Sequence, residues 1–214
     1  MIPTTYLQEA LHRYSEQHSN YPETYLNQIE RLTNLQTTAP QMLSGTIQGR
    51  LLSLLSKLHT PQCALEIGTF TGYSALCIAE GLSGNGILHT IDIDDQYDFI
   101  IDYIKSHLPL ASKIKFHKGD AKTIIPQLNQ FYDFIFIDAT KKEYPEYLKI
   151  VEPYVRKGAL LISDNVLYSG KVLDENKDLE SRVLDSYNKY LLQSDQWEVM
   201  ILPFRDGISI AQKV

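Results

Sequence analysis

The sequence predicts an α/β fold in which a mostly parallel sheet is covered by helices on both faces. Two patterns carry this prediction. From residue 63 onward, short apolar runs alternate with amphipathic stretches, an order typical of repeated strand–helix units. Before residue 60, apolar residues recur only at helical spacing. We therefore expect one domain over residues 1–214, with a helical N-terminal cap at 1–60 and the α/β core at 61–214.

Composition and charge indicate a soluble protein with a sizeable core and argue against a nucleic-acid partner. Hydrophobic residues make up 43% of the 214-residue chain, which is enough to build a sizeable core. The net charge is −6 and the lysines are spread along the chain, so we expect no nucleic-acid partner. The N-terminus lacks the apolar stretch of a signal peptide, and no apolar run approaches the ~20 residues of a membrane span. We expect a cytoplasmic protein with no membrane partner, in which Cys63 and Cys77 are reduced thiols.

Periodicity places the individual elements. The predicted helices cover Thr5–His18, Pro22–Leu35, Gly45–Leu58, Tyr73–Leu82, Asp94–His107, Lys122–Leu128, Tyr144–Tyr154 and Asp178–Leu192. The first five predicted strands lie in the apolar runs 63–68, 86–92, 113–120, 132–139 and 158–165. Two final runs, QWEVMILPF and GISIAQKV, are separated only by Arg205 and Asp206. Because so short a link joins only antiparallel strands, the last two strands are predicted to form a hairpin.

The residues that directly follow each strand are the candidate site residues, because ligands of open parallel sheets bind outside the carboxyl ends of the strands. After the first run, Gly68 and Gly72 allow a tight turn that leads into a helix. Phe70 stands where a dinucleotide-binding fingerprint needs glycine, which argues against a pyrophosphate-binding turn. An ordinary strand–helix turn is the alternative interpretation.

Acidic residues follow the second and third runs. Asp92 is placed to accept hydrogen bonds from both hydroxyls of a ribose. The alternative is a helix N-cap, a role that Asp94 or Asp95 fits better. For Asp120, after the third run, a capping role and a ligand role both stay open.

The fourth and fifth runs end in the sharpest feature of the sequence. Asp138 follows one run, and Asp164 and Asn165 follow the next. If the two strands are neighbours, they lie about 5 Å apart and the two carboxylates meet at one edge of the sheet. A hard divalent cation would relieve their repulsion, and oxygen ligands suit magnesium, calcium or manganese. The alternative is a pair of N-capping aspartates on separate turns.

Two lysines, Lys141 and Lys142, stand just behind Asp138. A lysine held beside a bound cation would lose its proton more readily through like-charge repulsion, and it would then be able to accept a proton. Ordinary surface lysines at a helix start are the alternative. The histidines show no ligand spacing, and His89 and His117, inside strand runs, are expected to be structural.

Taken in order, several motifs resemble the cation-dependent O-methyltransferase family, which includes the caffeoyl-CoA and catechol O-methyltransferases and bacterial relatives. The motifs are LEIGTFTGYSALCIAEGL, TIDID, GDA, FIDATKKEYPEY, SDNVLYSGKV and LPFRDGISIAQK. The resemblance runs from about Tyr21 to the C-terminus. It implies a Rossmann-like class I methyltransferase fold with seven strands, S-adenosylmethionine as cofactor, and a divalent cation, Mg²⁺ with Ca²⁺ or Mn²⁺ as alternatives. It also implies a catechol-like small-molecule substrate and a homodimer.

The resemblance assigns roles to individual residues. The cofactor would be bound by Ser44, Glu66, Gly68, Phe70, Ser74, Asp92, Asp120, Ala121 and Asp138. Within that set, Asp92 would hold the ribose, while Asp120 and Ala121 would lie beside the adenine. The metal ligands would be Asp138, Asp164 and Asn165, and the catalytic residues Lys141 and Asp138. Lys141 would take the substrate proton, in preference to Lys142.

Some questions stay open after the resemblance is stated. Family members often have glycine where this chain has Arg205, which leaves the acceptor undefined. The apolar stripe of Tyr25, Ile29 and Leu32 has two interpretations, burial between subunits or cover for the chain's own cleft. A nicotinamide-dependent oxidoreductase, a non-catalytic cofactor-binding protein and a methyltransferase acting on nitrogen or on a macromolecule are the competing functions.

Overall fold

A computed structural model describes the backbone from residue 4 to residue 214 and the side chains from residue 9 onward. Its centre is a seven-stranded sheet in the order β3-β2-β1-β4-β5-β7-β6. The strands are β1 (Cys63–Ile67), β2 (Ile87–Asp92), β3 (Ile114–Lys118), β4 (Tyr132–Ile137), β5 (Val155–Ser163), β6 (Trp197–Leu202) and β7 (Ile208–Lys213). Strands β1 to β5 are parallel, whereas β7 runs antiparallel to both β5 and β6. The predicted Rossmann-like sheet with its antiparallel C-terminal hairpin is confirmed.

The helices follow the predicted order. They are α1 (Thr4–Gln17), α2 (Thr24–Gln36), α3 (Gly45–His59), α4 (Tyr73–Ala79), α5 (Asp98–His107), α6 (Ala121–Leu128), α7 (Tyr144–Val151) and α8 (Leu179–Gln193). No described helix has both the length and the apolar character needed to span a bilayer. Both cysteines are buried free thiols, as predicted.

Several predicted boundaries were wrong by three or four residues, namely the starts of α5 and β5 and the ends of α4 and α7. Helix α5 begins at Asp98 rather than Asp94, because residues 94–96 form a turn in which the Asp94 carboxylate accepts a hydrogen bond from the Gln96 backbone N–H at 2.9 Å. Strand β5 begins at Val155 rather than 158, since it pairs with β4 on both sides of a register shift. The first residues of the strand include the exposed, charged Arg156 and Lys157, so the apolar run that predicted the strand starts only at residue 158.

The sheet is covered on both faces, which explains its continuous apolar runs. One hydrophobic cluster joins the sheet to α2–α5, and a second joins the opposite face to α6–α8. All five residues of β1 are buried; Ala64 belongs to the first cluster and its neighbour Leu65 to the second. Because helices block both faces, only the strand ends are open to a ligand.

The N-terminal helices pack on their own chain. Leu26 and Ile29 are fully buried in the first cluster, with Tyr25 and Leu32 packed against it. The α2 stripe therefore covers the hydrophobic core of its own chain rather than the cleft, since none of Tyr25, Ile29 and Leu32 lines the cavity at the strand ends. A dimer interface would need another surface.

An ion-pair cluster around Glu80 fixes α3 against α4. Its carboxylate accepts hydrogen bonds from Arg50 at 2.9 Å, Lys57 at 2.8 Å and Ser53 at 2.6 Å. Burial opposes ionisation, but these donors lower the pKa of Glu80 to about 2. The other end of α3 reaches the carboxyl edge of the sheet, so this cluster also holds the first turn of α3 in place.

Candidate active site

A cavity of about 890 Å³ opens at the carboxyl ends of the strands, where the strand order reverses between β1 and β4. It is lined by every predicted site residue except Glu66, namely Ser44, Gly68, Phe70, Ser74, Asp92, Asp120, Ala121, Asp138, Lys141, Asp164 and Asn165. The structure therefore brings together residues that lie more than 120 positions apart in the sequence.

The turn after β1 forms the floor of the cavity and requires glycine at its start. Gly68 has φ +104°, and a Cβ atom there would lie 2.0 Å from the backbone oxygen of Asp138. Phe70 adopts the left-handed conformation with φ +48°, and Gly72 precedes α4 with φ +80°. This close approach of two backbones joins the turn after β1 to the end of β4.

Asp92 holds the same turn from the end of β2. One carboxylate oxygen accepts hydrogen bonds from the backbone N–H groups of Thr69 at 2.9 Å and Phe70 at 2.8 Å. The other accepts from the Asp94 N–H at 2.9 Å. The capping role suggested for Asp94 or Asp95 was wrong, because α5 starts later and Tyr97 occupies its capping position. Asp92 is thus a charged anchor whose remaining surface faces the cavity.

Glu66 lies beneath the cavity rather than on its wall. Its side chain is fully buried, and one carboxyl oxygen accepts a hydrogen bond from the Thr90 hydroxyl at 2.5 Å. Its other oxygen, Oε1, has no partner among the described residues. Burial raises the pKa of Glu66 to about 8. Burial therefore favours the protonated form of this carboxyl, and its Oε1 atom has no hydrogen-bond partner among the described residues.

Asp120 caps α6, as one of its two interpretations proposed. Its carboxylate accepts a hydrogen bond from the Lys122 backbone N–H at 2.9 Å. Asp120 and the buried Ala121 also line the cavity on the side of β3. Capping and a place on the wall are compatible, so the geometry leaves the ligand role of Asp120 a prediction.

Two carboxylates meet at the ends of β4 and β5. The strands are parallel neighbours in which Ile137 is paired with Ser163, so Asp138 and Asp164 follow paired residues. Asp164 is only 4% exposed, and burial together with the charge of Asp138 raises its pKa to about 6. Neither residue stands at a helix-capping position, which removes the alternative of two capping aspartates.

Lys141, and not Lys142, contacts the carboxylate pair. Its Nζ atom donates to an Asp138 carboxylate oxygen at 2.9 Å and to the Tyr144 hydroxyl at 3.1 Å. Tyr144 is fully buried and donates to the Asp164 backbone oxygen at 2.9 Å. The Lys142 side chain is exposed at the rim. The sequence offered no signal for Tyr144 beyond its position one helical turn after Lys141.

Two residues that sequence reasoning missed support Asp164: the buried Gln48, behind the cavity wall, and Arg205, which lines the cavity. The Gln48 amide donates to Asp164 Oδ2 at 2.7 Å. The Arg205 guanidinium donates to Gln48 Oε1 at 3.1 Å, to the Leu43 backbone oxygen at 3.3 Å and to the Ser44 backbone oxygen. The only available signal was the departure from the family pattern at position 205, since Gln48 lies 116 residues from its acidic partner.

The donor set at this edge fits a hard divalent cation. Asp138 and Asp164 bring two carboxylates to one place, while the single ammonium of Lys141 balances only one of them. The described residues contain no group of three or more His, Cys, Asp or Glu side chains placed to hold an ion. A cation here would therefore take the Asn165 amide oxygen as its third protein ligand, and oxygen-only ligands suit magnesium, calcium or manganese.

Comparison with known proteins finds O-methyltransferases among the relatives of this chain. A sequence model of the O-methyltransferase family matches residues 16–214. Caffeoyl-CoA O-methyltransferase 3 of Nicotiana tabacum is 31% identical over 96% of this chain and 91% of its own length. Catechol O-methyltransferase of Niastella koreensis is 38% identical over 60% of each chain.

A solved structure extends the likeness to the whole fold. The O-methyltransferase TomG from Streptomyces achromogenes, involved in tomaymycin synthesis and crystallised with S-adenosylmethionine, superposes with a TM-score of 0.88. It is 25% identical and covers 96% of both chains. Sequence and structure agree, and the chain belongs to the O-methyltransferase family of S-adenosylmethionine-dependent enzymes.

Proposed function

We propose that the protein transfers the methyl group of S-adenosylmethionine to one hydroxyl of a catechol-like small molecule and that it requires a divalent cation, Mg²⁺ first, with Mn²⁺ or Ca²⁺ as alternatives. The observation that carries this proposal is the arrangement at the ends of β4 and β5. There, two carboxylates and an amide face the same cavity as the cofactor turn, with Lys141 beside them.

The cofactor would occupy the side of the cavity formed by β1, β2 and β3. Gly68, Phe70 and Ser74 line the place for its methionine end, with the buried Glu66 below. Asp92 would hold the ribose, because its carboxylate is fixed by three backbone N–H groups and still faces the cavity. The adenine would lie beside Asp120 and Ala121, and Ser44 would close over the site from the start of α3.

Asp138, Asp164 and Asn165 would hold the cation. When bound, a divalent cation makes a neighbouring hydroxyl more acidic and orients it. A vicinal diol suits this position because its two oxygens reach one ion together. The names of the plant and bacterial relatives, caffeoyl-CoA and catechol O-methyltransferases, support the same substrate class.

Lys141 and Asp138 are the proposed catalytic residues. The Lys141 Nζ atom lies between the Asp138 carboxylate and the Tyr144 hydroxyl, at the edge of the space left for the acceptor. Asp138 and Tyr144 hold that nitrogen in place. With a divalent cation bound beside it, like-charge repulsion would make the nitrogen give up its own proton more readily, and the neutral amine could then receive the proton of the acceptor hydroxyl. The rest of the rate would come from alignment, because the cavity brings the methyl donor and the acceptor into one enclosed space.

Two further proposals concern the state of the protein. The predicted homodimer would use a surface other than the α2 stripe, which the chain's own core covers. A cytoplasmic location remains a prediction from the sequence.

Methyl transfer from labelled S-adenosylmethionine to a panel of catechols, with Mg²⁺ or with EDTA, tests the proposed function. We expect transfer with Mg²⁺ and its loss with EDTA. Transfer that survives EDTA would contradict the cation site. Absence of transfer by protein that still binds S-adenosylhomocysteine would contradict the catechol class, and stabilisation by NAD instead of S-adenosylhomocysteine would favour the oxidoreductase.

A further inference from the structure

A continuous chain of side chains links the β6–β7 turn to the proposed cation site. Arg205 Nη1 donates to Gln48 Oε1 at 3.1 Å, and Gln48 Nε2 donates to Asp164 Oδ2 at 2.7 Å. Gln48 is fully buried in the first turn of α3. In this series of hydrogen bonds, each donor points from Arg205 towards Gln48 and from Gln48 towards Asp164.

Arg205 and Asp164 fix that direction together. An amide has a donor end and an acceptor end of nearly the same shape, whereas a guanidinium only donates and a carboxylate only accepts. Gln48 therefore turns its oxygen towards the guanidinium and its NH₂ group towards the carboxylate of Asp164. Without Arg205, the Gln48 oxygen would lose this donor, and the carboxylate alone would hold the amide.

The backbone at Arg205 supports a role for its side chain. Arg205 has φ +51°, a left-handed conformation that glycine adopts without strain and other residues adopt at a cost. Its guanidinium forms no ion pair among the described residues and donates to neutral oxygens only, those of Leu43, Ser44 and Gln48. Arg205 thus combines a strained backbone with a side chain whose hydrogen bonds all go to Leu43, Ser44 and Gln48.

We propose that Gln48 and Arg205 are positioning residues that orient the Asp164 carboxylate for cation binding. Gln48 restrains one carboxylate oxygen, and the Asn165 backbone N–H restrains the other at 2.7 Å. A carboxylate held at both oxygens keeps one orientation, and loss of such supporting hydrogen bonds typically weakens metal affinity about 10- to 100-fold. The inference rests on the proposed function, since it requires that Asp164 bind the cation.

Binding of Mn²⁺ to the full-length protein, followed by the electron paramagnetic resonance signal of the free ion, tests the inference. Arg205→Gly removes the guanidinium and relaxes the backbone, so the variant is expected to fold. Gln48→Met keeps the length of the side chain and removes both polar atoms. We expect each to bind Mn²⁺ about 10- to 100-fold more weakly, and Arg205→Lys, which keeps a donor, to retain more affinity than Arg205→Gly.

Matched controls separate orientation from general stability. Asn129→Gly relaxes another left-handed residue, at the end of α6, and Ser56→Ala removes a buried hydrogen bond of α3 to the Ile78 backbone oxygen. Both should keep wild-type Mn²⁺ affinity. Wild-type affinity in Arg205→Gly and Gln48→Met, or a loss no greater than in the controls, would overturn the inference alone. A wild-type protein that does not bind Mn²⁺ would overturn the proposed function and the inference with it.

Discussion

The two halves of the cavity treat their carboxylates differently. On the side of β2, Asp92 accepts hydrogen bonds from three backbone N–H groups and needs no partner of opposite charge. On the side of β4 and β5, Asp138 and Asp164 share one ammonium, that of Lys141, and the buried Asp164 has a pKa raised to about 6. In the first half, which we call the cofactor half, hydrogen bonds from the folded chain satisfy the carboxylate. In the second, which we call the acceptor half, the carboxylates leave excess negative charge.

This difference separates what the backbone provides from what a ligand must provide. Backbone N–H groups are neutral donors fixed by the turn, so they hold Asp92 in place for the neutral ribose that it is proposed to bind. Repulsion between two carboxylates is relieved only by positive charge, and a divalent cation supplies more of it than one lysine. The proposed function therefore predicts that the acceptor half depends on a cation and that the cofactor half does not.

The largest expected effect breaks the acceptor half alone. Lys141→Met should lower kcat about 10²- to 10⁴-fold, because it removes the group proposed to receive the proton. Binding of S-adenosylhomocysteine, measured by calorimetry, should stay at the wild-type value. Lys142→Met is the matched control and should leave kcat largely unchanged, since the exposed Lys142 does not contact the carboxylates. Equal losses in the two variants would contradict the assignment of Lys141.

The second prediction breaks the cofactor half. Asp92→Asn replaces a charged acceptor of backbone hydrogen bonds, an interaction worth about 1.5–3 kcal/mol, so the free energy of unfolding should fall by about that amount. Urea denaturation measures this loss. Affinity for S-adenosylhomocysteine should fall while that for Mn²⁺ is kept. A parallel loss of Mn²⁺ binding would show that the two halves are not independent.

The third prediction concerns Glu66, which lies beneath the cofactor half, and the dependence of the free energy of unfolding on pH. Burial raises the pKa of Glu66 to about 8, above its ordinary value of 4.5. Between these values the folded state holds a proton that the unfolded state has lost, so stability falls as pH rises, by about 1.4 kcal/mol per pH unit. In cofactor-free protein, Glu66→Gln should flatten the profile of unfolding free energy between pH 5 and 7.5, roughly the window set by these pKa values. An unchanged slope would mean that Glu66 is ionised in the folded protein.

The smallest effect distinguishes the two interpretations of Asp120. Asp120→Ala removes the N-cap of α6 and should cost about 1 kcal/mol, whereas Asp120→Asn keeps a capping oxygen and should cost little. Thermal denaturation compares the two. If Asp120 only caps, Asp120→Asn also keeps the affinity for S-adenosylhomocysteine; a loss of that affinity would show a direct contact with the cofactor.

Local sequence patterns predicted the secondary structure and most residues of the cavity wall. Alternating runs gave the order of the strands and helices, and the residues after each run gave most of the cavity wall, because strand ends must meet at one edge of a parallel sheet. The start of β5 was missed because the exposed, charged Arg156 and Lys157 precede its apolar run. The partners of Asp164 were missed for another reason. Gln48 reaches it only after α3 has packed on α4, and no spacing in the sequence encodes that contact.

The melting temperatures of the wild type, Asp92→Asn and Asp164→Asn, each measured with Mn²⁺ and with EDTA, test most directly whether the acceptor half depends on a cation. A ligand at about 100 times its Kd stabilises the folded state by about 2.7 kcal/mol. Mn²⁺ should therefore raise the melting temperature of the wild type and of Asp92→Asn, and it should leave that of Asp164→Asn unchanged. A wild type that does not respond to Mn²⁺, or an Asp164→Asn variant that responds as fully as the wild type, would contradict the account.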